Sequence, residues 1–104
     1  MARTVSWTNT AWRDLELIAG SIAEDSPGYA AAFVERIRGQ ARSLDDLSFR
    51  GRMVPELGEA AVRELLIGNY RPIYEIHETA VYVLGVIHGA RDLLALWDPE
   101  ARLP

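Results

Sequence analysis

The residues of this chain best equipped to act on another molecule are Arg63 and Arg71 on facing apolar-alternating runs, Arg91 just after a third such run, and Trp97. All eleven basic residues are Arg and none is Lys. A guanidinium grips phosphate or carboxylate through a planar fork of donors, whereas no amine is present to act as a base or to form a Schiff base. The chemistry on offer is anion recognition. His77 lies in a turn and His88 at a strand end, without a partner four residues on or an acidic ligand at a known spacing, so no metal site is expected. No Ser occupies a nucleophile-elbow context, and Gly51, Gly58 and Gly68 are too scattered to cradle a phosphate. No cofactor is expected either. Plainer roles stand beside these: a surface ion pair of Arg71 with Glu64 or Glu75, worth little, and a pairing of Arg91 with Asp92.

The formal net charge of −4 argues against strong binding to free nucleic acid, which needs many cations against phosphates. Without cysteine, neither disulfides nor thiolate metal sites can hold the fold, so packing must do so. At 104 residues, 49% of them hydrophobic, the chain reads as one domain, residues 1–104, able to bury roughly two-thirds of its unfolded surface. No cleavable signal is read at the start, and no apolar run approaches the ~20 residues of a bilayer span. The expectation is a cytoplasmic protein without a membrane partner.

These side chains need elements to hold them. Val5-Ser6-Trp7 reads as a short strand, and Thr8-Asn9-Thr10 offers acceptors for the start of a helix. Ala11, Leu15, Ile18 and Ile22 then recur at helical spacing. In Asp25-Ser26-Pro27, Ser26 caps a second helix and Pro27 takes its first position, followed by Ala30, Phe33, Val34, Ile37, Ala41 and Leu44. The pair predicts an antiparallel helical hairpin. Residues 48–59 show neither period, yet Met53, Val54 and Leu57 should fold back over a sheet edge.

Three antiparallel strands follow. Gly68-Asn69 fits a two-residue type II′ turn, in which the first residue needs φ > 0, and His77 to Ala80 makes the second turn. Asp92 to Trp97 predicts a short C-terminal helix before Pro99. The expected fold class is α+β: a short N-terminal strand, a helical hairpin, a three-stranded antiparallel sheet and that last helix. With Ile67 opposite Tyr70, Glu64 faces Ile73 and Arg63 faces Tyr74, and Leu65, Ile67, Tyr70, Pro72, Tyr74 and Ile76 share the face that packs on the helices. The other face, with Glu64, Arg71 and Glu75, is mixed. Pro72 cannot donate to the ladder and predicts weak pairing nearby. Trp7, Trp12, Tyr74 and Tyr82 fall at core spacing.

That element order, with Ala11-Trp12-Arg13-Asp14-Leu15, Asp25-Ser26-Pro27, Gly51-Arg52-Met53-Val54-Pro55-Glu56, Arg63-Glu64-Leu65, Gly68-Asn69-Tyr70-Arg71-Pro72-Ile73-Tyr74 and His88-Gly89-Ala90-Arg91, resembles the RelE/ParE superfamily of type II toxin-antitoxin toxins over almost the whole chain. The RelE-like branch cuts messenger RNA on the ribosome, and the resemblance would carry its phosphate-binding arginines onto Arg71 and Arg91. Its catalytic tyrosine would fall at about Trp97, whose indole cannot act as a phenolic acid or base, and Glu64 stands where a carboxylate would repel phosphate. The ParE-like branch inhibits DNA gyrase by binding, without that catalytic set, and the Asp-Ser-Pro junction and the Gly51 to Glu56 loop look more like it. The resemblance thus implies a binding toxin with Arg52, Arg63, Arg71, Arg91 and Trp97 toward the target. It also implies a cognate antitoxin lying over exposed helix positions such as Leu17, Tyr29 and Ala32. The alternatives are a RelE-like ribonuclease and a non-toxic regulatory relative.

Overall fold

The computed structural model describes residues 2–89. Helix α1, Asn9–Asp25, starts where the Thr8 side chain accepts from the Ala11 N–H at 3.1 Å. One residue joins it to α2, Pro27–Arg42: the Ser26 N–H closes α1 by donating to the Ile22 carbonyl, while its hydroxyl accepts from the Tyr29 N–H at 3.2 Å. With Pro27 in the first turn, where its missing N–H would have had no partner, the predicted junction holds. The two helices pack on each other, and neither described helix is long and apolar enough to cross a membrane.

The sheet departs from expectation. It has five strands, not three, and it is mixed: β1 (Thr4–Trp7), β2 (Arg52–Met53), β3 (Val62–Glu64), β4 (Tyr70–Ile76) and β5 (Ala80–His88) lie in the order β1-β5-β4-β3-β2. β1 runs parallel to β5, with Thr4 opposite Ala80 and Trp7 opposite Val83. A parallel pair needs a long crossover, here the helical hairpin and all that follows it, so no local turn signals the pairing. β2 lies inside the stretch read as an aperiodic connection, and two residues are too few to show alternation. The expected C-terminal helix at Asp92 to Trp97 lies outside the described residues.

The hairpin matches its prediction. Gly68 has φ 58° and no non-glycine residue among the described residues has a positive φ, the type II′ pattern, and Ile67 and Tyr70 exchange two 3.0 Å hydrogen bonds across the turn. Glu64 faces Ile73 and Arg63 faces Tyr74, as expected. Pairing also weakens where Pro72 predicts it: β3 ends at Glu64, and the ladder resumes only at the Ile67–Tyr70 bridge. Between them the Leu65 N–H donates to the Pro72 carbonyl at 3.0 Å, but Pro72 has no N–H to return.

β5 carries a register shift where Ile73 pairs with Gly85 and Tyr74 with Val83, leaving Leu84 extra. The start of α1 engages this irregularity: the Thr8 hydroxyl donates to the Leu84 carbonyl at 3.2 Å, and Asp14 Oδ2 accepts from the Val86 N–H at 3.0 Å. β1 has ended by then, so the Asp14 carboxylate takes the place of a strand partner. Burial pushes its pKa above the ordinary 3.8, although the Val86 hydrogen bond opposes this.

Both faces of the sheet are covered. Leu65, Ile67, Tyr74, Ile76 and Val81 pack with Leu15, Ile37 and Leu44 from the helical side. On the opposite face Val62, Ile73 and Leu84 are closed over by Val54, with Leu57 packed against them. Residues 54–58 therefore form a lid, folded by bonds from the Leu57 and Gly58 N–H groups to the Val54 carbonyl and turned at Gly58, φ 65°. The face expected to be mixed is instead a second, smaller core with charges sealed into its margin.

Candidate functional site

Alternation along β3 and β4 sends Glu64 and Arg71 to the lid side, and the β2–β3 register brings Arg52 opposite Glu64. Glu64 has no exposed side-chain surface and Arg71 only 8%. Arg71 donates to Glu64 Oε1 from Nε at 2.8 Å and from Nη2 at 2.6 Å. Its outer edge forms a fork with Glu56 of the lid, Nη1 to Oε2 at 3.0 Å and Nη2 to Oε1 at 2.8 Å. Arg52, largely exposed, donates from Nε to Glu64 Oε2 at 2.5 Å. Two guanidiniums and two carboxylates leave this network with no net charge.

The protonation states follow from those bonds. The Arg71 hydrogen bonds hold the Glu56 carboxyl below its ordinary 4.5. The Glu56 bond, followed after the opposing cost of burial by the Glu64 bond and charge, makes Arg71 still harder to deprotonate. Every N–H of Arg71 that a phosphate would use in a forked contact is already turned to a carboxylate.

A buried tyrosine positions the Arg52 arm. Tyr74 has no exposed surface; its hydroxyl donates to the Ser48 carbonyl at 2.7 Å and accepts from the Gly51 N–H at 3.0 Å. Burial raises the Tyr74 pKa, so the hydroxyl keeps the proton it donates. A Cβ on Gly51 would come within 2.5 Å of that hydroxyl and 2.6 Å of the Glu64 carbonyl, so only glycine lets the chain pass here into β2.

Beside the network an open groove of about 470 Å³ runs along the hairpin turn, lined by Arg52, Leu66, Tyr70, Arg71 and His88 together with Gly68, Asn69 and Gly89. Tyr70 packs edge-on between Phe33 and His88, with centroids at 5.1 and 5.4 Å. The groove thus offers exposed Leu66, aromatic edges and a neutralised pair of arginines. Its chemistry suits contact with a surface better than stabilisation of a pentavalent phosphate, which needs uncompensated donors aimed at the developing charge.

Of the five residues expected to face a target, Arg52 and Arg71 come together at the groove. Arg63 does not: it pairs with Tyr74 on the opposite face and donates to the carbonyls of Ala60 at 2.8 Å and Gly51 at 3.1 Å. Arg91 and Trp97 lie outside the described residues. Leu17, Tyr29 and Ala32 are exposed, Leu17 by 68% and Tyr29 by 73%. His77 packs edge-on against Tyr82 and bonds Glu75 at 3.0 Å, a local structural pairing.

Residues 5–93 match the family model of the ParE toxin of type II toxin-antitoxin systems, parDE. This chain belongs to the ParE toxin family. The fold of this ParE-family chain also resembles a chain of the chromosomal ParDE toxin-antitoxin system from P. aeruginosa, at 20% identity and TM-score 0.70, covering 84% of this chain and 96% of that one. A chain of the RelBE2 toxin-antitoxin complex from Mycobacterium tuberculosis is 30% identical with TM-score 0.55, over 85% of this chain and 99% of that one. No protein of curated function matches the sequence.

Sequence reasoning about this ParE-family chain missed the part played by Glu56. The signal was available in Val54-Pro55-Glu56-Leu57, where an acid stands between apolar residues in a segment otherwise expected to lie against the sheet. Tyr70 and His88 were also unassigned to the groove; the register between β4 and β5, which places them opposite one another, points to it.

Proposed function

We propose that this ParE-family toxin acts by binding its target rather than by cleaving RNA, that DNA gyrase is the target, and that a cognate antitoxin neutralises it. The carrying observation is the sequestration of Arg71 by Glu56 and Glu64. A nuclease needs that guanidinium free to stabilise a phosphate in flight, and a buried arginine already bonded to two carboxylates has no reason to release either. Gyrase is inferred from the ParE family model that spans most of the chain. The antitoxin is inferred from the family and from the two structural neighbours, which come from toxin-antitoxin systems.

The test is direct. Purified toxin is added in molar excess to gyrase supercoiling reactions and, separately, to a translating extract whose messages are mapped for cuts. The expected result is loss of supercoiling with intact messages. Unaffected gyrase removes the target assignment, and message cuts that Arg71→Ala abolishes would overturn the binding mechanism.

A further inference from the structure

Two arginines without a carboxylate partner among the described residues converge away from the groove. They meet at Phe49, an aromatic side chain 54% exposed on the short 3₁₀ turn Ser48–Arg50. The Arg3 guanidinium lies 5.7 Å from the centre of the Phe49 ring and that of Arg63 lies 5.3 Å from it. Neither has a carboxylate partner among the described residues. Arg3 is tied by Nε to the His77 carbonyl at 2.8 Å and by Nη1 to the Ser48 hydroxyl at 3.1 Å. Arg63 is tied by Nε and Nη1 to the carbonyls of Ala60 and Gly51. Arg50, next in sequence to Phe49, bonds the neutral Ser43 hydroxyl and Gln40 and, among the described residues, no carboxylate.

This arrangement differs in kind from Arg52 and Arg71. Bonds to neutral oxygens fix the two guanidiniums in place without cancelling their charge, and among the described residues each keeps its Nη2 uncommitted. The cost of ordering two long side chains is met on folding and not on binding. Around them stand two exposed apolar side chains, Phe49 and Leu47. Cations held beside an aromatic face, with apolar surface at hand, form the kind of cluster that dominates protein interfaces.

We propose that the surface formed by Phe49, Arg3 and Arg63, extended by Arg50 and Leu47, docks an acidic segment of a partner protein in which carboxylates alternate with apolar side chains. Charge complementarity selects that occupant. A few carboxylates match a few forked guanidiniums, each pair gaining from bidentate geometry. A nucleic acid matches less well: it needs many phosphates neutralised at once, and this surface offers three arginines, Arg3, Arg50 and Arg63, in a chain of net charge −4. The surface lies on the opposite side of the sheet from the Arg71 groove, so it goes beyond the function proposed above.

The experiment titrates the full chain with a fluorescein-labelled peptide of about ten residues in which Glu and Leu alternate. Binding is followed by anisotropy, and the Arg Nε and Phe ring signals by NMR. The expected result is micromolar binding that shifts the Arg3, Arg63 and Phe49 signals, with affinity lowered about ten-fold or more by Phe49→Ala and by Arg3→Gln with Arg63→Gln. Phe49 is more than half exposed and belongs to none of the core clusters, so Phe49→Ala keeps the test valid if the arginine variants fold poorly. A Lys and Leu peptide should not bind. The proposal is overturned by absence of binding, by shifts confined to Arg52 and Arg71, by unchanged affinity in Phe49→Ala, or by tighter binding of a single-stranded RNA of equal charge.

Discussion

Arg71 donates twice to one oxygen of Glu64, from Nε and from Nη2, while Glu56 closes over its outer edge. The two residues come from facing strands of the Gly68-Asn69 hairpin, so the turn that brings the strands together also sets this contact. Removing the cation strands a fully buried carboxylate whose other partner, Arg52, is mostly in water. Arg71→Ala should therefore destabilise the protein by about 3–5 kcal/mol. Glu64→Gln should cost less, because Arg71 keeps Glu56, and Glu56→Gln least, because its carboxylate is partly solvated. Urea unfolding of the three variants checks the order, and a silent Arg71→Ala would mean that the pair is not sealed from solvent.

Tyr74→Phe should leave the Gly51 N–H and the Ser48 carbonyl without their buried partner, at a cost of about 1–3 kcal/mol. Gly51→Ala should be worse, since its Cβ meets the Tyr74 hydroxyl and the backbone of β3 at once. The two changes should not add, because both disturb one contact. A double-mutant cycle in denaturant reads the coupling, and full additivity would refute the shared hook.

Acid should act on two carboxyls with opposite sign. The pKa of Glu56 is lowered on folding, so its stabilisation is complete above about its ordinary 4.5 and is lost as pH falls through its folded value. That of Asp14 is raised, so its contribution grows as pH falls through the folded value toward 3.8. Glu56→Gln should flatten the acid limb of the stability curve, and Asp14→Asn should steepen it. Urea midpoints between pH 3 and pH 7 test both signs.

Leu17→Glu and Tyr29→Glu place charges at the most exposed large apolar positions of α1 and α2. Both should leave the melting temperature almost unchanged, since neither side chain is in the core. Each should weaken capture by the cognate antitoxin by about ten-fold or more if those faces lie under it. Calorimetric titration with the purified antitoxin measures this, and unaltered affinity in both variants would move the contact elsewhere.

Local chemistry was legible in the sequence wherever neighbours in the chain carry it. Ser26-Pro27 and Gly68-Asn69 announce their junctions because caps and turns are decided within a few residues, and Pro72 foretold the gap in the ladder for the same reason. The pairing of Glu64 with Arg71 could be read from the hairpin register, but only as a surface contact. Its burial depends on Val54, Glu56 and Leu57, which reach the sheet from an aperiodic loop and leave no signature of where they land. The parallel placement of β1 was hidden similarly, because its partner lies almost at the other end of the described chain. Arg63 was grouped with Arg71 by their nearness in the hairpin, although alternation along the strands sends them to opposite faces.

The union of β1 with β5 has a bearing on how this toxin is made. A nascent chain can complete α1 and α2 early, but its first strand must wait beside an empty place until nearly ninety residues have left the ribosome. Until then the groove at the hairpin has no fifth strand to back it, and the Asp14 carboxylate no amide to hold. The complete sheet is thereby postponed until β5 has been translated, so the folded molecule cannot precede its own last described strand.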